Sequence, residues 1–314
     1  MGNGKNIMGS VLRVERSSIH DGSGLRTVLF MKGCPLRCAW CSTPESQRML
    51  PERGITRSKC TLCGQCVKVC PQNALSIKDG DVWLAKDLCQ GCFKCASACP
   101  NGAIATYGKC MSAYDVGREL SKDGIFFFHS GGGVTISGGE PFAQPEFLLA
   151  ILRECRAHGL DCALESSFFA EWPVIEQVLP YLDLIHADIK HMDSEKHLAL
   201  TGVANELILE NIMRSDTSGH NFDLVIRTPI IPGINDDDAD IIKLAEFVNQ
   251  LQKVSCMEFL AYHKLGTETY TKLGRPYMLR DIEMPPAGYM RRKAALFVNH
   301  SSVPVKINGV AFTN

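Results

Sequence analysis

Fifteen of the 314 residues are cysteine, and their placement sets the chemistry open to this chain. Eleven lie between Cys34 and Cys99 in three tight groups, while Cys110, Cys155, Cys162 and Cys256 are scattered. The first residues, MGNGKNIMGS, lack the apolar core of an export signal, so the expectation is metal ligands or reactive thiols rather than the disulfides of a secreted miniprotein. One group reads Cys34-Pro-Leu-Arg-Cys38-Ala-Trp-Cys41. Three thiolates on one short loop bind three irons of a 4Fe–4S cluster and leave the fourth iron open. An open coordination position is what a catalytic metal centre needs and a structural one avoids.

The other two groups share one spacing, C-x2-C-x2-C-x3-C-P: Cys60, Cys63, Cys66, Cys70 before Pro71, and Cys89, Cys92, Cys95, Cys99 before Pro100. This is the run of bacterial two-cluster ferredoxins, in which the fourth cysteine reaches the neighbouring cluster. The expected ligand sets are therefore Cys60, Cys63, Cys66 and Cys99 for one cluster, and Cys89, Cys92, Cys95 and Cys70 for the other. The following segments, PQNALSI and PNGAIAT, also correspond, which makes the region a small internal duplication. Zinc knuckles are the competing reading of CxxC pairs, but they use two well-separated pairs rather than four cysteines at this density. By itself the duplication implies electron transfer, not catalysis.

Six β-rich runs must position these loops: Thr27–Met31, Val134–Ser137, Cys162–Ser166, Leu184–Asp188, Leu224–Thr228 and Cys256–Leu260. Helical patterns fall between them. Over Pro145–His158, Phe147, Leu148, Ile151, Leu152 and Cys155 share a face, and a second helix is expected over Asp237–Lys253 behind an acidic N-terminus. Alternating strand and helix predicts an α/β fold with a parallel sheet, here a curved, incomplete barrel of (β/α)6 type. Chemistry gathers at the carboxyl ends of such strands. The cysteine loop, Gly138-Gly139-Glu140-Pro141, Glu165-Ser166, Asp188-Ile189-Lys190, Arg227 and Tyr262-His263 all stand at those ends. The expected organisation is a discontinuous barrel, 1–55 with 107–314, interrupted at 56–106 by the ferredoxin-like unit.

Longer strings carry a resemblance. CxxxCxxC with Trp40 before its last cysteine looks like the radical S-adenosylmethionine (SAM) superfamily. His20-Asp21-Gly22-Ser23-Gly24-Leu25-Arg26-Thr27, Gly131 to Pro141 (GGGVTISGGEP), Asp188 to Asp193 (DIKHMD), Arg227 to Asp236 (RTPIIPGIND) and Tyr262 to Gly266 (YHKLG) resemble segments of glycyl radical enzyme activating enzymes. The likeness spans nearly the whole chain, and the insert resembles that of the longer members. One departure is Glu165-Ser166-Ser167-Phe168, where the family often has a carboxylate followed by TxG.

The resemblance implies a radical SAM barrel with a 2x[4Fe–4S] insert, hence three [4Fe–4S] clusters and SAM. It also implies SAM contacts from Trp40, Ser42, Gly138, Gly139, Glu140, Asp188, Lys190 and His263, with Glu165 and Arg227 as further candidates and Asp21 as a docking residue for the partner. For Trp40 core packing competes with this reading, and for Asp188 and Lys190 a plain salt bridge does. The implied activity is reductive cleavage of SAM and hydrogen abstraction from a glycine Cα of a partner glycyl radical enzyme, with flavodoxin or ferredoxin as reductant. A radical SAM enzyme acting on a small metabolite and a multi-cluster electron carrier are the alternatives. A formal net charge of -1 gives no field for nucleic acid or acidic lipid, and no apolar run approaches the ~20 residues of a membrane span. The expected location is the cytoplasm.

Overall fold

The computed structural model describes residues 7–313. Its principal element is a ten-stranded sheet. At its centre six strands run parallel and in chain order: Arg26–Met31, Gly133–Gly138, Cys162–Ser166, Leu184–Asp188, Asp223–Ile230 and Val254–Ala261. They contain the six runs expected from the sequence. The strand Val305–Ile307 extends the parallel set by one and closes in a short hairpin with Val310–Ala311. At the opposite edge Met8–Ser18 pairs antiparallel with Arg26–Met31, and Lys109–Ser112 pairs antiparallel with Met8–Ser18. The two edges do not pair with each other, so the barrel is open on one side.

Helices carry the chain back between the parallel strands and cover their outer face. Pro145–Ala157 buries Phe147, Leu148, Ile151, Leu152 and Cys155, the face anticipated from its periodicity. Asp238–Val248 ends earlier than expected, because the chain turns at Asn249–Leu251 to feed the next strand. Alternation along each strand then sorts the residues. Val134, Ile136, Leu164, Ile185, Ala187, Leu224, Ile226, Met257 and Phe259 join the core. Their neighbours Thr135, Ser137, Glu165, His186, Asp188, Arg227 and Glu258 take the opposite face, inside the barrel. Strands buried on both sides need this two-sided filling.

The region between Arg26–Met31 and Lys109–Ser112 builds a separate small core of Ile55, Cys66, Leu75, Val82 and Ile104. Two strand pairs frame it, Glu52–Ile55 with Ile104–Tyr107 and Leu75–Lys78 with Asp81–Leu84. Among the described residues no helix is long and apolar enough to cross a membrane. Cys155, Cys162 and Cys256 are buried, as small apolar side chains would be, whereas Cys110 is exposed on the edge strand.

Candidate active site at the barrel mouth

The cysteine loop leaves the first parallel strand at its carboxyl end and is fixed by its backbone. Gly33 N–H donates to the Ser46 carbonyl (2.7 Å) and Cys34 N–H to Gln47 (3.1 Å). Arg37 and Ala39 N–H donate to the carbonyls of Thr201 (2.6 Å) and Leu200 (3.0 Å), at the end of the helix Ser194–Thr201. Trp40 is buried against Ile231, Tyr262, Tyr270 and Tyr277, so it anchors the loop from behind. The Tyr262 and Tyr277 hydroxyls are bonded to each other (2.7 Å). Ser42 is exposed, and its backbone lies so close to Gly266 of the YHKLG segment that a Cβ at 266 would fall 2.6 Å from the Ser42 carbonyl oxygen. His263, on the same segment, is exposed at the rim.

Burial pushes the Cys34 thiol well up, with Glu140 and Cys38 adding to it, and pushes Cys38 up to about 12 against the pull of Lys190. Free thiols here stay protonated, and a metal centre is what would draw the protons off. The set fits an iron–sulfur cluster: three soft sulfur donors on one loop and a nearby cation. That cation is Lys190, whose Nζ donates to Asp188 Oδ2 (2.9 Å) and whose charge is held by Asp188, Cys38 and Cys34 although burial opposes it. The salt bridge and the placement beside the thiols are thus both present. Among the described residues no three Cys, His, Asp or Glu side chains converge on a point for one ion.

The glycine-rich loop packs directly on the cysteine loop. Gly138 has φ +116, and a Cβ there would lie 2.2 Å from Met31 N; at Gly139 it would lie 2.2 Å from the Gly33 carbonyl oxygen. The glycines therefore let this loop press onto the root of the cysteine loop, locked by Gly139 N–H to Met31 O (2.9 Å) and Glu140 N–H to Gly33 O (2.7 Å). Glu140 is 1% exposed. Its Oε1 accepts from Ser166 Oγ (2.7 Å) and Phe142 N (3.1 Å), and its Oε2 from Ser167 N (2.8 Å) and Ser167 Oγ (2.6 Å). Its carboxylate is spent on tying two strand ends together, and burial raises its pKa despite these donors. The same bonds give the Ser166-Ser167 departure a purpose.

Deeper in the barrel Arg227 is saturated. It pairs with Glu165 through Nη1, with Glu258 through Nε (2.7 Å), and donates from Nη2 to the His20 carbonyl (2.9 Å). Glu165 also accepts from Ser137 Oγ. Burial lifts the Glu165 pKa to about 7 against the pull of Arg227, with Asp21 and Asp188 adding to the rise. Arg227 is thus a cross-strand brace rather than a free cation. The Asp21 side chain accepts from Ser18 Oγ, and its carbonyl accepts from Thr135 Oγ1 (2.8 Å). No role was expected for Ser167, Glu258 or His186, whereas Ser166 stood with Glu165 among the strand-end candidates. Arg26, in the segment His20 to Thr27, donates to Thr135 (2.7 Å) and pairs with Asp161 (2.8 Å).

In the insert, one cavity is lined by Cys60, Cys63, Cys66 and Cys99, and another by Cys70, Cys89, Cys92 and Cys95. The structure thus brings together the two exchanged sets of four. The duplication extends to the backbone. Leu62 and Gly91, Gly64 and Phe93, and Asn73 and Gly102 are corresponding pairs, all with positive φ. Cys70 and Cys99 each accept an N–H four residues on, from Ala74 (3.3 Å) and Ala103 (3.2 Å). A bent backbone aiming N–H groups at sulfur suits an anionic cluster.

Comparison with known proteins places these features in context. Residues 54–76 match the 4Fe-4S binding domain, and residues 99–245 match the Radical SAM superfamily. The chain is 40% identical over 303 residues to the isethionate sulfite-lyase activating enzyme of Oleidesulfovibrio alaskensis, covering 95% of this chain and 97% of that one. It is 42% identical to the (2S)-3-sulfopropanediol dehydratase activating enzyme of Klebsiella oxytoca, covering 88% and 89%. The fold is also that of a radical SAM methyltransferase from Sphaerobacter thermophilus, with a TM-score of 0.53 over 95% of this chain and 76% of that one at 12% identity.

Proposed function

The chain belongs to the activating enzymes of glycyl radical enzymes, within the radical SAM superfamily, and on that premise we propose that its chemistry is done at the loop of Cys34, Cys38 and Cys41. Its reaction is the activation of a partner enzyme by removal of a hydrogen atom from a glycine Cα. Cys34, Cys38 and Cys41 would hold a 4Fe–4S cluster, whose one-electron reduction would supply the reductive cleavage of SAM, giving methionine and, once the partner's hydrogen has been taken, 5′-deoxyadenosine. The observation that carries the reading is the Lys190–Asp188 pair, half-buried beside Cys38 and Cys34 at the strand ends.

In this reading Lys190 balances thiolate charge and, with Asp188, meets the polar end of SAM. Trp40 fixes the loop, while Ser42 and His263 border the opening. The backbone of Gly138 and Gly139 forms the floor. Glu140, Arg227 and Glu165 act by holding these groups in place, since their own bonds are taken. The barrel excludes water, and its unpaired side admits the glycine loop of the partner. The activator handles that loop and not the partner's own substrate, which is consistent with relatives whose partners are a sulfite-lyase and a dehydratase.

We further take 56–106 as an inserted unit with two [4Fe–4S] clusters, three in all with that of the barrel. They pass single electrons from flavodoxin or ferredoxin, and the protein works in the cytoplasm under anaerobic conditions. The test is an anaerobic assay of the reconstituted protein with dithionite and SAM, following 5′-deoxyadenosine, beside a Cys34→Ala, Cys38→Ala, Cys41→Ala triple variant. Product from the parent alone supports the site. No product from an iron-loaded parent sinks it and favours the electron-carrier alternative.

A further inference from the structure

Arg53 stands on the strand Glu52–Ile55, which roots the insert on the barrel. Its Nη1 is buried without a partner, and the Arg53 side chain makes no hydrogen bond or ion pair among the described residues. Arg227 and Arg26, by contrast, pair with carboxylates, although Arg26 Nη1 is also buried without a partner. An unpaired guanidinium nitrogen shut away from water is costly, so a missing anion is the natural explanation.

Two observations say where that anion sits. Arg53 lines the cavity of Cys70, Cys89, Cys92 and Cys95. It lies outside the lining of the Cys60, Cys63, Cys66 and Cys99 cavity. Arg53 also lines the large cleft, about 1530 Å³, between insert and barrel. Cys34 borders that cleft on the barrel side and Cys89 on the insert side, whereas Cys60, Cys63 and Cys66 do not reach it.

We propose that Arg53 is the counter-charge of the insert cluster held by Cys70, Cys89, Cys92 and Cys95, the one that faces the three-thiol loop across the cleft. The proposal rests on the reading that the insert carries two clusters. A 4Fe–4S centre with four thiolates is an anion that gains one negative charge on reduction. A fixed cation and its N–H donors therefore favour the reduced form and raise the potential. No bond is made or broken: one electron enters from the low-potential donor and leaves toward the barrel.

The test is a redox titration of the reconstituted full-length protein followed by electron paramagnetic resonance. Signals are assigned with Cys63→Ala and Cys92→Ala, each removing one ligand from one cavity. Arg53→Met is expected to shift the midpoint of the Cys92-dependent signal to more negative potential, leaving the other insert signal and the barrel signal in place. Arg53→Lys, which keeps the charge, is expected to restore most of the shift. Unmoved midpoints in an iron-replete Arg53→Met protein overturn the proposal, as does an equal shift of both insert signals. Equal loss of iron from Arg53→Met and Arg53→Lys also overturns it, because that is a packing effect. Failure of the two-cluster premise is read separately: parent protein with no more iron and sulfide than Cys92→Ala has no such cluster, whatever Arg53 does.

Discussion

The barrel mouth and the insert both gather cysteines, yet they hold them by opposite means. At the mouth the loop is clamped by backbone bonds to the segment after it and to a neighbouring helix, and Lys190 and Trp40 back it from within. In the insert Cys63, Cys89 and Cys92 are exposed, Cys66 is one of the five buried side chains of the core, and Cys60, Cys70, Cys95 and Cys99 pack against it. A core of that size does not stabilise a unit by itself; metal ligation must supply the rest. On the proposed function, the barrel is a scaffold that a cluster enters, while the insert is a wrapping that its own metal centres would complete. A catalytic centre needs the first kind, because an open iron leaves one fewer ligand to organise the site.

The largest effect that sharpens this contrast comes from the thiols themselves. Any one of Cys34→Ala, Cys38→Ala or Cys41→Ala is expected to bring 5′-deoxyadenosine formation to background, with the thermal transition of the barrel unchanged. Cys63→Ala or Cys92→Ala is expected to do the reverse, weakening the insert while leaving dithionite-driven cleavage measurable. Cleavage lost equally in both sets breaks the comparison. The same asymmetry governs metal removal. Anaerobic chelation of iron is expected to collapse hydrogen-exchange protection across 56–106 while protection of the six parallel strands persists. Uniform loss of protection in both regions contradicts it.

Next in size is the brace beneath the mouth. Glu140→Gln puts an amide where four donors converge, so the two donors on the oxygen that becomes nitrogen lose their acceptor and face N–H groups instead. A loss of about 4 kcal/mol is expected, read as a fall in the Tm on the order of 10 °C, together with reduced iron at the barrel site. A stable, iron-replete Glu140→Gln protein would return Glu140 to a direct role toward the ligand.

What the sequence revealed follows the same physical division. Six parallel strands were legible because strands buried on both faces read as short apolar runs between polar loops, and the cysteine spacings were legible because a cluster imposes them locally. The strand Met8–Ser18 was not, since its outer half, Glu15 to Ser18, is polar and largely exposed on an edge partner. Glu140 looked free because its acceptors' partners, Ser166 and Ser167, are two hydroxyls on another strand end. Arg227 looked free because its pairing with Glu258 depends on the register of two parallel strands joined through a helix. Local spacing survives in a sequence; cross-strand neighbours arise only when the sheet closes around them.

Smaller, and specific to the barrel interior, is the pH dependence of Glu165. Its folded pKa of about 7 lies above the ordinary carboxylate value of about 4.3. Between those values the folded state binds more protons than the unfolded one, so this group stabilises fully below pH ~4.3 and its contribution is lost as pH rises through 7. The loss is on the order of 3 kcal/mol. Glu165→Gln is expected to flatten that part of the stability–pH curve, measured by denaturant unfolding of the iron-free protein. An unchanged slope means that Arg227 and Ser137 already hold Glu165 ionised.

The smallest effect separates rim from brace. His263 is exposed, and the bond from Leu265 N–H to its Nδ1 is long (3.4 Å), so its removal takes little from the fold. Surface changes of this kind stay within about 0.5 kcal/mol. If the ring borders bound SAM, His263→Ala raises the KM for SAM several-fold, up to the roughly tenfold that ~1.4 kcal/mol of binding represents, with kcat and Tm nearly constant. Arg227→Lys should show the opposite pattern, a lower Tm with KM almost unmoved, because a lysine cannot serve Glu165, Glu258 and His20 together. The KM of one and the Tm of the other therefore decide, residue by residue, which side of the mouth touches the ligand and which only holds it.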